Sequence, residues 1–183
     1  DKYTKEELER VDALATSYMD FINNGKNERL VVKESIKLLQ EKGFKHISEV
    51  NELVPGTKVY YVNRGKNVCA YVIGKHKLVE GIRVLGAHID SPRLDLKQNP
   101  LYEKDGFALL DTHYYGGVKK YQWVTIPLAL VGVVVKKDGT VVDINIGLDE
   151  NDPIVGISDL LIHLSGEQLT KPAGKVIEGE NLD

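Results

Sequence analysis

The stretch IRVLGAHIDSP, residues 82–92, decides the expected fold class. Its first part, residues 82–87, is short, mostly apolar and contains a glycine, which predicts a strand buried on both faces of an α/β sheet. His88, Asp90 and Ser91 follow that strand directly. In open α/β sheets reactive groups collect beyond the carboxyl ends of the strands, where a ligand can reach side chains that the sheet holds in place. We therefore expect a functional site at the end of this strand.

His88 and Asp90 are the residue types that a metal site needs. An imidazole binds zinc through one nitrogen, and its other N–H requires an acceptor, commonly a carboxylate, to fix the tautomer and the ring orientation. Asp90 can supply that carboxylate, and Pro92 should then turn the chain out of the sheet. The His-x-Asp spacing alone leaves a second interpretation open, in which His88 is an ordinary hydrogen-bonded histidine at a strand end.

The residues before this stretch predict two helices packed against strands. Thr4 begins a capping-box pattern, and apolar residues then recur at helical spacing up to Gly25. A second amphipathic pattern ends at Gly43, which is a typical helix stop. β-branched and aromatic residues at 58–63 and 68–73 predict a pair of neighbouring strands joined by a turn.

After Leu96 the sequence becomes more polar and then alternates like the strands of a β-rich module. The strongest strand patterns are residues 124–135 and 141–146. We therefore predict two domains, an α/β domain at residues 1–96 and a β-rich domain at residues 97–183.

The composition excludes several classes of function. With 24 basic and 27 acidic residues the net charge is -3, so no positive field is available to bind nucleic acid. The single cysteine, Cys69, cannot form an intrachain disulfide, and we expect a buried strand thiol in a reducing compartment. The N-terminal residues have a charged helical pattern, and the longest apolar run, residues 126–135, is too short to span a bilayer. These features predict a cytoplasmic protein with no membrane role.

Residues 85–97, LGAHIDSPRLDLK, closely resemble the first metal motif of the aspartyl aminopeptidase family. The similarity extends over nearly the whole chain and includes residues 21–23, 38–44, 115–117 and 162–164. Members of that family are more than twice as long as this chain. The resemblance is therefore to their N-terminal part only.

This resemblance implies a zinc-dependent aminopeptidase with two zinc ions in each complete active site. Family members are cytosolic, act on peptides, prefer acidic N-terminal residues and assemble from dimers into larger homo-oligomers. Their peptidase domain is interrupted after the first histidine motif by a β-rich dimerisation domain, which would begin near Leu96. By this resemblance His88 binds zinc and Asp90 orients its ring. The other ligands and the glutamate base would lie beyond residue 183, so the chain alone is expected to be inactive.

His163 is a second candidate for both catalysis and metal binding. It lies where the family has a histidine that reaches the active site of the neighbouring subunit. From the residues alone it is a histidine in an apolar stretch, which is more typical of a core position. The segment WVTIPL, residues 123–128, departs from the family, because many members carry an Asp-Arg-Asp stretch after this tryptophan. That departure puts the preference for acidic residues in doubt.

The other histidines give weaker signals, and a different class of function stays open. His46 and His76 lie among lysines, which predicts solvated side chains on surface turns. His113 precedes the aromatic residues and double glycine at 114–117, which could line a groove but more often form a strand corner. The alternative function is a non-catalytic self-association or binding module in which His88 is structural.

Overall fold

Two units, residues 1–91 and 92–183, make up the computed structural model, which describes residues 2–183. Both helices and strands are present, so the predicted mixed α/β class is confirmed. The division lies between Ser91 and Pro92, whereas the change in composition that suggested a boundary at Leu96 occurs inside a strand that begins at Arg93.

The first unit begins with helix α1, Lys5–Asn24, and helix α2, Glu28–Glu41. The predicted capping box is confirmed, because the side chain of Thr4 accepts a hydrogen bond from the third residue of α1 and that residue's carboxylate accepts one from the Thr4 backbone. Asn27 caps α2 through its side-chain oxygen, which accepts from the backbone N–H of Leu30 at 3.0 Å. Within residues 2–183 no helix has both the length and the apolar character needed to cross a membrane.

A three-stranded sheet completes the first unit. Strand β1, Lys45–His46, pairs in parallel with β2, Lys58–Asn63, and β2 pairs antiparallel with β3, Asn67–Val72. The order is therefore β1-β2-β3. The core lies between α2 and the sheet and consists of the buried residues Val31, Val32, Val59 and Tyr60.

The prediction of a buried strand at residues 82–87 is wrong for this structure. These residues have no regular secondary structure, and Ile82, Val84 and Leu85 are exposed. An apolar run forms a strand only where a neighbouring strand completes its backbone hydrogen bonds, and no strand among residues 2–91 pairs with it. The prediction that Cys69 is buried is also wrong, because the thiol on β3 is exposed.

The second unit contains two antiparallel strand pairs. Strand β4, Arg93–Lys104, pairs with β5, Phe107–Tyr115, through a tight turn in which Asp105 and Gly106 have φ of 54° and 82°. We call this pair the long ribbon. Strand β6, Leu130–Val135, pairs with β7, Val141–Ile146. The unit is therefore rich in strands, as the alternating pattern predicts.

Only the second half of the predicted strand at residues 124–135 is a strand. Thr125 has φ of 67°, a left-handed conformation that a β-branched residue rarely adopts and that interrupts an extended chain. Before that interruption Val124 makes an isolated bridge with Ile157. The core of the second unit consists of Val124, Ile157, Ile177 and Leu182.

Candidate metal site at His88

His88 and Asp90 form a hydrogen-bonded pair in an irregular segment at the end of the first unit. Nδ1 of His88 lies 3.2 Å from Oδ1 of Asp90 and 3.1 Å from the Asp90 backbone oxygen. Both oxygens can only accept when the carboxylate is ionised, so Nδ1 carries the ring proton. In the neutral ring Nε2 then has a lone pair, which is the form that binds a metal.

The exposure of the pair makes that nitrogen accessible. The side chain of His88 is 87% exposed and that of Asp90 is 43% exposed. The backbone also helps to orient the His88 ring, since one of the two acceptors near Nδ1 is the backbone oxygen of Asp90. The arrangement can therefore offer one oriented imidazole nitrogen to a ligand that approaches from solvent.

His88 can serve as one zinc ligand, but the described residues around it do not form a complete zinc site. Zinc in proteins takes about four ligands, and a catalytic zinc keeps one position for water. Across residues 2–183 no group of three or more histidine, cysteine, aspartate or glutamate side chains is placed to hold a metal ion. Which other residues would complete a zinc site with His88 stays a prediction.

His163 lies in a short 3-10 turn, Ile162–Leu164, in the second unit. Its side chain is exposed, so the interpretation of a core histidine is wrong. The apolar residues around it, which suggested burial, are themselves exposed: Leu160, Leu161, Ile162 and Leu164. The role of His163 in a neighbouring active site stays a prediction.

The other histidines have partners that do not point to a metal. His46 is half-buried in β1, with Nδ1 2.7 Å from the hydroxyl of Ser48 and its ring at the edge of Tyr60, so the prediction of a solvated turn is wrong. Parallel pairing with β2 brings these aromatic rings together. His76 is exposed, as predicted, and contacts Glu80 at 3.2 Å.

His113 lies on β5 opposite Asp95 of β4. Its ring is exposed and stacks with that of Tyr114, with centroids 5.7 Å apart. The strand ends at Tyr115, and Gly116 with φ of 78° turns the chain, which confirms the predicted strand corner.

One cluster at the start of the long ribbon was not predicted from the sequence. The guanidinium carbon of Arg93 lies 4.1 Å from the ring centroid of Tyr115, and its Nε donates to Oδ1 of Asp95 at 2.7 Å. The alternation of R-L-D-L-K at residues 93–97 indicates that Arg93 and Asp95 share a strand face, but the aromatic partner depends on pairing with β5.

The segment at residues 123–128, which departs from the resembled family, contributes to packing. Val124 is buried in the core of the second unit, with Trp123 and Leu128 packed against it. Thr125 is exposed between them. The part of this segment that enters the core therefore carries no charge.

Comparison with known proteins identifies the family of the chain. The model of the family described as Aminopeptidase I zinc metalloprotease (M18) matches residues 21–182. The chain belongs to this M18 family, which confirms the resemblance that the His88 motif indicates.

Individual relatives agree with this assignment. A Clostridium acetobutylicum protein named probable M18 family aminopeptidase 1 is 54% identical over 187 aligned positions, which cover all of this chain and 40% of the relative. The crystal structure of an M18 family aminopeptidase from Thermotoga maritima has a TM-score of 0.89 at 43% identity and covers 99% of this chain and 39% of that one. The chain thus spans about two fifths of the length of these relatives.

A more distant structure is described as the S. cerevisiae mApe1 dodecamer. It matches with a TM-score of 0.68 at 25% identity and covers 82% of this chain and 36% of that one.

Proposed function

We propose that the complete protein is a zinc-dependent aminopeptidase in which His88 binds one of two zinc ions. The observation that carries this proposal is the contact of His88 Nδ1 with the carboxylate of Asp90, which leaves Nε2 as an accessible metal ligand. Family membership and relatives named aminopeptidases support the same activity. When bound, zinc would polarise the scissile carbonyl and lower the pKa of a coordinated water.

Asp90 acts on the metal site through the His88 ring. Its carboxylate accepts the Nδ1 proton, which holds one tautomer and raises the basicity of Nε2 toward a metal. The remaining ligands and the general base would come from beyond residue 183. We therefore expect this chain alone to be inactive.

The proposed substrates are peptides with a free N-terminus, and the N-terminal residue that is removed need not be acidic. Residues 123–128 lack the charged stretch found in many members of the resembled family, and Val124 in that segment is part of an apolar core. A comparison of Asp-, Glu- and Leu-terminated peptides on the full-length protein tests this. A ratio of kcat/KM strongly in favour of acidic peptides would contradict it.

Self-association through the second unit is the partner interaction we propose. The apolar residues Leu160–Leu164 around His163 are exposed, and exposed apolar patches of this kind mark interaction surfaces. A dodecamer is described for the yeast relative mApe1. We propose that His163 reaches the active site of a neighbouring subunit in such an assembly.

The first experiment replaces His88 with alanine in the full-length protein. Turnover should be abolished and zinc content should fall, because the metal loses a neutral nitrogen ligand. His76→Ala is the matched control, since His76 is also exposed and contacts a carboxylate at 3.2 Å. Unchanged zinc and turnover in His88→Ala would refute the assignment and leave the non-catalytic binding module as the better interpretation.

The second experiment tests His163 by subunit mixing. His163→Ala should reduce kcat strongly while the assembly persists, because a hydrogen-bond donor to a developing oxyanion is worth roughly 2.7–4 kcal/mol. Mixing it with inactive His88→Ala should restore part of the activity, since some mixed sites would contain both an intact metal set and a donated His163. No restoration despite demonstrated subunit exchange would place His163 outside the neighbouring site.

A further inference from the structure

Asparagine or aspartate followed by glycine is a sequence at which a protein chain can modify itself. The glycine nitrogen attacks Cγ of the preceding side chain, because glycine has no side chain of its own to hinder the approach. A five-membered succinimide forms, and its hydrolysis gives either aspartate or isoaspartate, in which the main chain runs through the side-chain carboxyl. The chain has such pairs at Asn24-Gly25, Asp105-Gly106 and Asp138-Gly139.

The pair at the end of α1 is held in a conformation that opposes this reaction. Gly25 is buried, and its N–H donates to the backbone oxygen of Phe21 at 2.9 Å. A Cβ on this glycine would lie 2.8 Å from Cγ2 of Val31. The backbone therefore has little room to turn its nitrogen toward the side chain of Asn24.

The pair in the turn between β6 and β7 is protected by hydrogen bonds. The Asp138 carboxylate accepts one from the Thr140 backbone N–H at 2.9 Å, and this bond lowers the pKa of that carboxyl. The carboxylate therefore stays ionised, which is the form that resists nucleophilic attack. The nitrogen of Gly139 donates to the carbonyl of Lys136 at 2.9 Å, and a neutral carbonyl oxygen does not remove its proton.

The pair at the tip of the long ribbon lacks both kinds of protection. Asp105 is exposed, and across residues 2–183 no hydrogen bond or ion pair engages its carboxylate. The nitrogen of Gly106 donates to Oε1 of Glu103 at 2.9 Å. A carboxylate is a base, so the group that holds this nitrogen can also accept its proton. Open space surrounds Gly106 as it does Gly139, so the two turns differ in their partners and not in steric hindrance.

We infer that Asp105 is a site of spontaneous isoaspartate formation, with Glu103 as the base that activates the Gly106 nitrogen. Glu103 takes the proton from this nitrogen as the nitrogen bonds to Cγ of the protonated Asp105 carboxyl. The carboxyl hydroxyl leaves with that proton as water, and the succinimide remains. Water then adds to one of the two ring carbonyls. Addition at the side-chain carbonyl restores aspartate, and addition at the backbone carbonyl gives isoaspartate.

The modification would alter the tip of the long ribbon. Isoaspartate adds one carbon to the main chain and keeps the negative charge. The tight turn depends on φ of 54° at Asp105 and 82° at Gly106, and it joins the last rung, in which Lys104 pairs with Phe107. An extra backbone atom does not fit that turn, so the modified protein should lose this rung.

The experiment incubates the folded full-length protein at constant neutral pH in water labelled with heavy oxygen. Chromatography of digested samples separates isoaspartyl from aspartyl peptides, and mass spectrometry detects the incorporated oxygen. Isoaspartate should form about tenfold faster at Asp105 than at Asp138, the factor expected when a turn hydrogen bond must break before attack. The two rates should become similar in urea, because both aspartates precede glycine.

Glu103→Gln is the matched variant for the base. A glutamine oxygen can still accept the Gly106 N–H, but it does not take up the proton at neutral pH. The substitution should slow isoaspartate formation at Asp105 by about tenfold, less than the 10²–10⁴-fold typical of a base in an active site, because solvent reaches this tip. The rate at Asp138 in the same protein should not change.

Three outcomes would overturn the inference. One is a ratio of the two rates that is the same in the folded and the unfolded protein, because the turns would then have no influence. Another is an unchanged rate at Asp105 in Glu103→Gln. The third is isoaspartate without heavy oxygen, since hydrolysis of a succinimide must incorporate one oxygen atom from water.

Discussion

Replacement of Asp90 by asparagine in the full-length protein should weaken zinc binding by about tenfold. Partners that orient a metal-binding histidine contribute roughly ten- to a hundredfold in affinity or activity. Three features of the structure place the effect of Asp90 at the lower end of that range. The Nδ1 to Oδ1 distance is 3.2 Å, longer than the 2.7–2.9 Å typical of strong charge-assisted bonds. The carboxylate is 43% exposed. The backbone oxygen at 3.1 Å remains after the substitution.

A tenfold loss corresponds to about 1.4 kcal/mol of binding free energy. It is measured by titrating the purified protein with zinc against a chelator of known affinity. Glu80→Gln is the matched control, because it removes a carboxylate at the same 3.2 Å from Nδ1 of the exposed His76. A change below about twofold would mean that Asp90 only shapes the turn, and a loss well above a hundredfold would mean that it binds the metal directly.

Three further predictions concern the second unit. Leu182→Ala should lower the free energy of unfolding by about 2–5 kcal/mol in a urea titration, because Leu182 is fully buried, and a loss below about 1 kcal/mol would contradict that packing. Thr125→Gly should raise the unfolding temperature by relieving a strained φ of 67°. Thr140→Gly should lower it, because Thr140 is an exposed residue just before β7 whose φ is not positive. Equal effects of the two substitutions would refute the strain. Lys171 lies 2.8 Å from Glu178 and lowers the pKa of that carboxyl. The stability that this ion pair adds is therefore present above the ordinary glutamate pKa of about 4.3, and it is lost as pH falls through the lowered pKa of Glu178. The difference in stability between Lys171→Met and the original protein should therefore disappear in acid, and a difference independent of pH would refute the pairing.

Much of the first unit could be predicted because its signals are local. A capping box depends on residues three apart, and Thr4 and Glu7 meet in the helix that their own spacing predicts. The contact between His88 and Asp90 is local in the same way, since two residues of chain bring the carboxylate to the ring. The metal-binding interpretation of that contact came from resemblance over a longer stretch, residues 85–97.

Burial could not be predicted in the same way, because it depends on which surfaces meet. The residues at 82–87 have the composition of an interior strand, yet Leu85 is exposed because no strand within residues 2–91 lies beside it. Cys69 and His163 are exposed despite apolar neighbours, and His46 is half-buried despite neighbouring lysines. A pattern of apolar residues indicates which surface favours burial, while the exposure of that surface depends on whether another part of the protein covers it.

By itself the sequence determined the two helices, strands β2, β3, β6 and β7 and the pairing of His88 with Asp90, because backbone propensities, caps and short spacings act within a few residues. Only the tertiary structure placed Arg93 on Tyr115, two residues far apart in the chain. It also gave Thr125 its left-handed φ, in the segment where Val124 joins the core of the second unit. Such contacts depend on strand register and on packing between distant segments, and no local pattern of residue types specifies either of them.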